Sequence, residues 1–155
     1  MSSPIEYWRW ENEVDPKLCK AMIELAEDNW STAETDTEKQ NADIRRGKTF
    51  FTSQSYIYDL FFPYMRNANK SADWNFDITS AEACQISKYD YNDRYDFHMD
   101  KDYKGGELEF VNGYSLGATQ GTIIFFPSFM QHRITPITKG TRYSVVLWFL
   151  GAPWR

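Results

Sequence analysis

A change of period part-way along the chain constrains its fold more than any other feature. Asp15-Pro16 supplies a carboxylate N-cap and a proline at the first helical position. Leu18, Met22, Ile23, Leu25 and Ala26 follow at helical spacing, which predicts a helix over 16–28. A second helical pattern, with Tyr56, Ile57, Leu60, Phe61 and Met65, covers Ser53–Ala68, and Pro63 predicts either two short helices or one kinked helix. Residues 31–48 are polar and aperiodic and read as a loop, with Phe50-Phe51 beginning a short strand. Beyond 73–77 the helical period disappears. Short β-prone segments take its place: Ala83–Tyr89, Arg94–His98, Glu107–Val111, Thr122–Phe126, His132–Ile134 and Tyr143–Leu150. Gly105-Gly106, Asn112-Gly113, Gly117, Pro127-Ser128 and Lys139-Gly140 punctuate them.

Helices first and strands afterwards define an α+β domain, here with a double-sheet jelly roll of cupin type. Its helices are expected to pack outside one sheet through Leu18, Met22, Leu25, Leu60 and Phe61. The chain carries 11 Phe, 10 Tyr and 6 Trp in 155 residues, enough large apolar rings for a β-rich core in so short a sequence. One domain is therefore expected over 1–155, with 1–75 as helical support and 76–155 as the strand core.

The net charge of −5 and pI near 5.0 argue against a phosphate-tracking surface, so no nucleic-acid partner is expected. The one tight basic cluster, Arg45-Arg46 with Lys48, reads as a solvated turn or a small-anion contact. Cys19 and Cys84 fall in a helix and a strand and read as small buried hydrophobes. No secretory apolar region follows Met1, and no run approaches the ~18 apolar residues of a membrane span. A cytoplasmic, reduced protein with no membrane partner is the expectation; the oligomeric state stays open.

His98 and His132 are the only histidines. A lone histidine is more often structural than ligating, but these two have telling neighbours. In His98-Met99-Asp100 the alternation of a strand puts an imidazole and a carboxylate on one side. His132 follows the 122–126 strand and the Pro127-Ser128 turn, a route back to the same point. Two histidines and one carboxylate cap one face of an octahedral iron and leave three positions for a chelating co-substrate and O2. A structural zinc would want a fourth protein ligand, and neither cysteine is spaced to provide it. Ten residues after His132 stands Arg142, whose planar fork suits a carboxylate, and Ser144 shares its strand face.

The ordered set Tyr-Asp-Phe-His-Met-Asp (95–100), Gly-Gly-Glu-Leu-Glu-Phe (105–110), Phe-Phe-Pro-Ser (125–128), His132 and Arg142-Tyr143-Ser144 resembles the 2-oxoglutarate/Fe(II) oxygenases of the prolyl 4-hydroxylase-like group. The resemblance covers about 84–149, with 41–74 compatible with the group's helical N-terminal part. It implies a distorted double-stranded β-helix, iron held by His98, Asp100 and His132, and 2-oxoglutarate reaching Arg142. It further implies contacts from Ser144 and a tyrosine hydroxyl near the co-substrate, Tyr89 preferred over Tyr95, while Trp148 is assigned to the core. The implied cofactors are Fe(2+), 2-oxoglutarate and O2, with ascorbate as an accessory stimulant. The implied reaction is oxidative decarboxylation of 2-oxoglutarate to succinate coupled to hydroxylation, of a prolyl residue in a protein or peptide or of a small molecule. A non-catalytic cupin-like metal-binding module is the competing reading, and nucleic-acid demethylation is disfavoured by the acidic charge.

One departure from the group's pattern stands out. Only Lys101, Asp102, Tyr103 and Lys104 separate Asp100 from Gly105, where the group places a further core strand. Five residue steps reach at most about 17 Å, whereas the two motif strands should lie roughly 22 Å apart along the path. A segment missing near 101–104, a deleted strand, or a relocated 105–110 segment would each resolve this. The intact flanking motifs favour the first.

Overall fold

A computed structural model describes residues 5–32, 47–90, 93 and 104–152. In chain order the elements are β1 (Trp8–Trp10), α1 (Pro16–Glu24), β2 (Ser31–Thr32), β3 (Lys48–Thr52) and α2 (Ser55–Ser71). There follow β4 (Ile78–Ala81), β5 (Cys84–Tyr89), β6 (Lys104–Gly105), β7 (Leu108–Phe110), β8 (Ser115–Leu116) and β9 (Ile123–Phe125). The chain closes with β10 (His132–Ile134), β11 (Ile137–Lys139), β12 (Arg142–Val146) and β13 (Phe149–Gly151).

Asp15 caps α1 as expected, its Oδ1 accepting from the Lys17 N–H at 2.7 Å, but the regular helix stops at Glu24 and the chain continues in turns. Pro63 lies inside one continuous helix, α2. A proline there forfeits one backbone bond. Burial of Ile57, Phe61, Met65 and Ala68 along one stripe holds the helix in register regardless.

Every strand pairing among the described residues is antiparallel. The largest sheet has the order β12-β5-β3-β2; a second has the order β10-β7-β8; and β1-β9, β11-β6 and β13-β4 form pairs. This is the layout of a double-stranded β-helix. Three strands that build it, β1, β2 and β3, come from the first 75 residues, so that half supplies sheet as well as helix. Gly105, at φ +76°, allows the β6–β11 approach, since a Cβ there would run into the Pro136 carbonyl oxygen.

The helices seal one face of the large sheet. Cys19, Met22 and Ala26 meet Ile57 and Phe61 in a core shared with Cys84, Ile86 and Ile123. Leu25, Leu60, Phe50 and Val145 pack against its margin. Leu18 does not join it and is 38% exposed, because Cys19 and Met22 are the α1 residues turned fully inward. A second core gathers Leu108, Phe110, Leu116 and Ile134, with Tyr7, Phe126 and Met130 around it. β1 is tied to both strand and helix: it pairs with β9, and Trp10 meets the Tyr64 ring of α2 at 5.3 Å and the Phe125 ring at 6.2 Å. Trp148, assigned to the core from sequence, is instead 39% exposed between β12 and β13, where the expected 143–150 strand breaks in two. No helix among the described residues is long and apolar enough to cross a membrane.

Candidate active site

The large sheet has two covered faces of opposite character. Directly opposed residues in an antiparallel ladder share a face. Phe50, Ile86 and Val145 are in register across β3, β5 and β12, and they look toward the helices. The neighbouring row, Thr49, Ser87 and Ser144, looks the other way, and all three are buried. Gln85 lies on that same face and donates from Nε2 to Ser87 Oγ at 2.7 Å. Burying hydroxyls and amides is costly unless they are hydrogen-bonded, so a buried polar face marks a built interior and not a casual surface.

At the end of this face Tyr89 stands opposite Arg142, both wholly buried, and the guanidinium carbon lies 5.3 Å from the Tyr89 ring centroid. The ring's negative face favours the cation there. A guanidinium keeps its charge at any physiological pH and presents donors in a fixed fork. Arg142, Ser144 and Tyr89, the sequence-predicted co-substrate residues, are therefore brought together on one buried wall.

His132 opens β10 and faces Phe110 across the ladder. Its Nδ1 lies 2.7 Å from the Met130 carbonyl oxygen. A carbonyl can only accept, so Nδ1 carries the proton and Nε2 of the neutral ring carries the lone pair that a metal requires. The Met130 carbonyl is itself fixed by a turn in which the Met130 N–H donates to Pro127 O at 3.0 Å. Two neighbouring rings pack against the imidazole: Phe126 meets it edge-on at 4.9 Å and Phe110 lies at 6.4 Å. One residue along, Arg133 Nε donates to Glu109 Oε2 at 2.5 Å, clamping β10 to β7 and holding the Glu109 carboxyl below its ordinary range.

His98 and Asp100 lie outside the described residues, as do Tyr95, the expected 94–98 strand and the short connection at 101–103. Among the described residues no three His, Cys, Asp or Glu side chains form a metal cluster. The chain entering this region is anchored next to Arg142. Thr141 Oγ1 donates to Asp90 Oδ1 at 2.7 Å, the Asp90 N–H donates to Asp93 Oδ2 at 2.9 Å, and the Ile137 N–H donates to Asp93 O at 3.1 Å. The tautomer of His132 and the buried guanidinium both fit an iron and 2-oxo diacid site.

Sequence reasoning missed Thr49, Gln85 and Ser87 on the buried wall, and the Phe110–Phe126 brace. Apolar–polar alternation over Cys84–Ser87 was the available signal, but alternation alone assigns the polar side to solvent.

Comparison with known proteins agrees with the fold and the motifs. Residues 98–150 match the family model of the 2OG-Fe(II) oxygenase superfamily. Over 106 residues the chain is 24% identical to a PKHD-type hydroxylase of Pseudomonas fluorescens, taking in 63% of this chain and 47% of that protein. Over 88 residues it is 32% identical to one from Idiomarina loihiensis, taking in 41% of this chain and 39% of that protein. The chain thus spans less than half the length of these curated relatives. Among solved structures, a viral collagen prolyl hydroxylase from Paramecium Bursaria Chlorella virus-1, in its 2OG complex, superposes with a TM-score of 0.71. That match is 16% identical and covers 94% of this chain and 96% of that one. A Pseudomonas putida prolyl-4-hydroxylase gives 0.66 at 16% identity, covering 93% and 92%. At such identities the likeness is one of fold. The fold is therefore shared with these prolyl hydroxylase structures, and residues 98–150 are similar to the 2OG-Fe(II) oxygenase superfamily. The superfamily's cofactors are Fe(2+), 2-oxoglutarate and O2.

Proposed function

We propose that this chain is the catalytic domain of a 2-oxoglutarate- and Fe(II)-dependent hydroxylase acting on a prolyl residue of a protein or peptide. The observation that carries this reading is the buried polar wall on which Arg142 lies over Tyr89 with Ser144 on the same face. His132, in the tautomer set by Met130, would hold the iron together with His98 and Asp100. Arg142 would take the far carboxylate of 2-oxoglutarate bidentately, with Ser144 and the Tyr89 hydroxyl adding contacts. When bound, iron and 2-oxoglutarate supply the oxidising chemistry: O2 gives one oxygen atom to succinate as CO2 leaves, and the other to the substrate C–H.

The protein's own contribution is positional. The Met130 carbonyl keeps the proton of His132 on Nδ1, the Phe110 and Phe126 rings limit its tilt, and the sheet interior excludes water from the charged fork of Arg142. A peptide substrate is supported by a Trichoplax adhaerens prolyl hydroxylase, solved with a hypoxia inducible factor peptide fragment, which shares this fold at a TM-score of 0.67. Burial of Cys19 and Cys84 as thiols supports a reducing, cytoplasmic setting.

The test is a panel of proline-containing peptides and free amino acids incubated with the protein, Fe(II), 2-oxoglutarate and air, read by mass spectrometry. Gain of one oxygen atom on a prolyl ring is expected. Modification of free amino acids alone would move the substrate to the small-molecule class. Metal and 2-oxoglutarate binding without any oxidised product would leave a non-catalytic module.

A further inference from the structure

Gly47 precedes β3, one step beyond the Lys48–Lys88 pair, and so falls opposite Tyr89 on the side away from Arg142. Its φ of +149° lies where side chains are rarely accommodated. A Cβ built there would stand 2.9 Å from both Cδ1 and Cε1 of the Tyr89 ring and 3.0 Å from the Lys88 carbonyl oxygen. The ring cannot swing aside cheaply, because Tyr89 is wholly buried and the Arg142 guanidinium lies over it. Gly47, Tyr89 and Arg142 thus form a row running from the start of β3 across β5 to β12, with the ring held between a missing side chain and a cation.

We infer that Gly47 is a positioning residue for the co-substrate anchor: the space left by its absent side chain sets where the Tyr89 ring lies, and the ring sets the Arg142 fork. This rests on the reading of Arg142 as the 2-oxoglutarate anchor. Even a methyl group at 47 would push the ring toward the guanidinium and turn the fork away from a bidentate approach.

The experiment measures 2-oxoglutarate affinity by calorimetry on protein loaded with Mn(II) as a redox-silent stand-in, and Mn(II) affinity separately. Gly47→Ala should weaken 2-oxoglutarate binding about tenfold, the scale of one compromised charge-assisted hydrogen bond, with Mn(II) affinity within about twofold of wild type. Tyr89→Leu and the double variant Gly47→Ala/Tyr89→Leu complete a cycle. With the ring gone, adding the methyl should cost nothing further, so Tyr89→Leu and the double variant should bind 2-oxoglutarate equally. That comparison serves even if Gly47→Ala alone does not fold.

Unchanged 2-oxoglutarate affinity in Gly47→Ala, beside a weakened Arg142→Ala, would overturn the inference and leave the anchor standing. A penalty that persists in the Tyr89→Leu background would also overturn it, placing the requirement for glycine in the backbone. An unaffected Arg142→Ala would remove the anchor and the inference together.

Discussion

The co-substrate role proposed for Arg142 rests on where a single residue sits: a permanently charged fork, wholly buried, over an aromatic ring and two positions from a buried serine. Arg142→Ala is expected to weaken 2-oxoglutarate binding by about tenfold to a hundredfold, the equivalent of ~1.5–3 kcal/mol, and to leave metal affinity nearly unchanged. Calorimetry with Mn(II)-loaded protein checks this, and equal weakening of both ligands would point to general unfolding. Cys84 supplies a pH prediction. Burial pushes its thiol from the ordinary 9 up to about 12. Below the unfolded value both states hold the proton and the thiol has no effect. Between 9 and about 12 only the unfolded chain releases it, so stability falls as pH rises through that window. Cys84→Ala should flatten that decline relative to wild type in chemical denaturation at pH 9–11, and a parallel decline in both proteins would refute it. In the native protein at pH 8 the same thiol should resist alkylation.

At the scale of elements, α1 separates a legible feature from an illegible one. Asp15-Pro16 announces its start, but 3.6-residue spacing admits Leu18 and Met22 to one stripe, and only packing against Ile57 and Phe61 shows that Cys19 and Met22 are the buried pair. Met22→Ala should therefore cost about 2–5 kcal/mol, and Leu18→Ala well under half of that, measured as shifts in denaturation midpoint. Strands that alternate or carry branched runs, such as β5, β9 and β10, were readable. The two-residue strands β2, β6 and β8 were not, nor was β1: pieces this short have no period of their own and exist only through the partner they pair with. The candidate site divides in the same way. His132, Arg142 and Ser144 stood out in the sequence because the proposed chemistry calls for those residue types. The Met130 carbonyl, the Phe126 ring and Gly47 were invisible because backbone acceptors, bracing rings and absent side chains leave no motif. The β10–β7 ladder offers a check on the bracing. Phe126→Leu should loosen His132 and weaken Mn(II) binding about tenfold, a typical loss when support around a metal ligand is removed, with 2-oxoglutarate contacts at Arg142 intact. Unchanged Mn(II) affinity would show that the Met130 carbonyl suffices.

For the whole molecule, the first 75 residues are bound into the sheets through β1, β2 and β3 as well as through the helical core. We therefore expect residues 1–75 not to fold on their own, and limited proteolysis to release no stable fragment ending near residue 75. The short connection between Asp100 and Gly105 bears on the whole barrel: a version with a strand-length insertion at 101–104 should gain thermal stability if a segment is missing there, and lose it if the chain closes as it stands. The central claim, that the iron triad and the Arg142 anchor serve one reaction, is tested most directly by succinate release. The measurement is succinate formed from 2-oxoglutarate under air by the intact 155-residue chain with added Fe(II), beside His132→Ala and Arg142→Ala. Iron-dependent succinate is expected from the wild-type chain, none above background from His132→Ala, and a rate recovered in Arg142→Ala only at raised 2-oxoglutarate. Folded, metal-loaded wild-type protein that releases no succinate, or His132→Ala that matches it, would contradict the account.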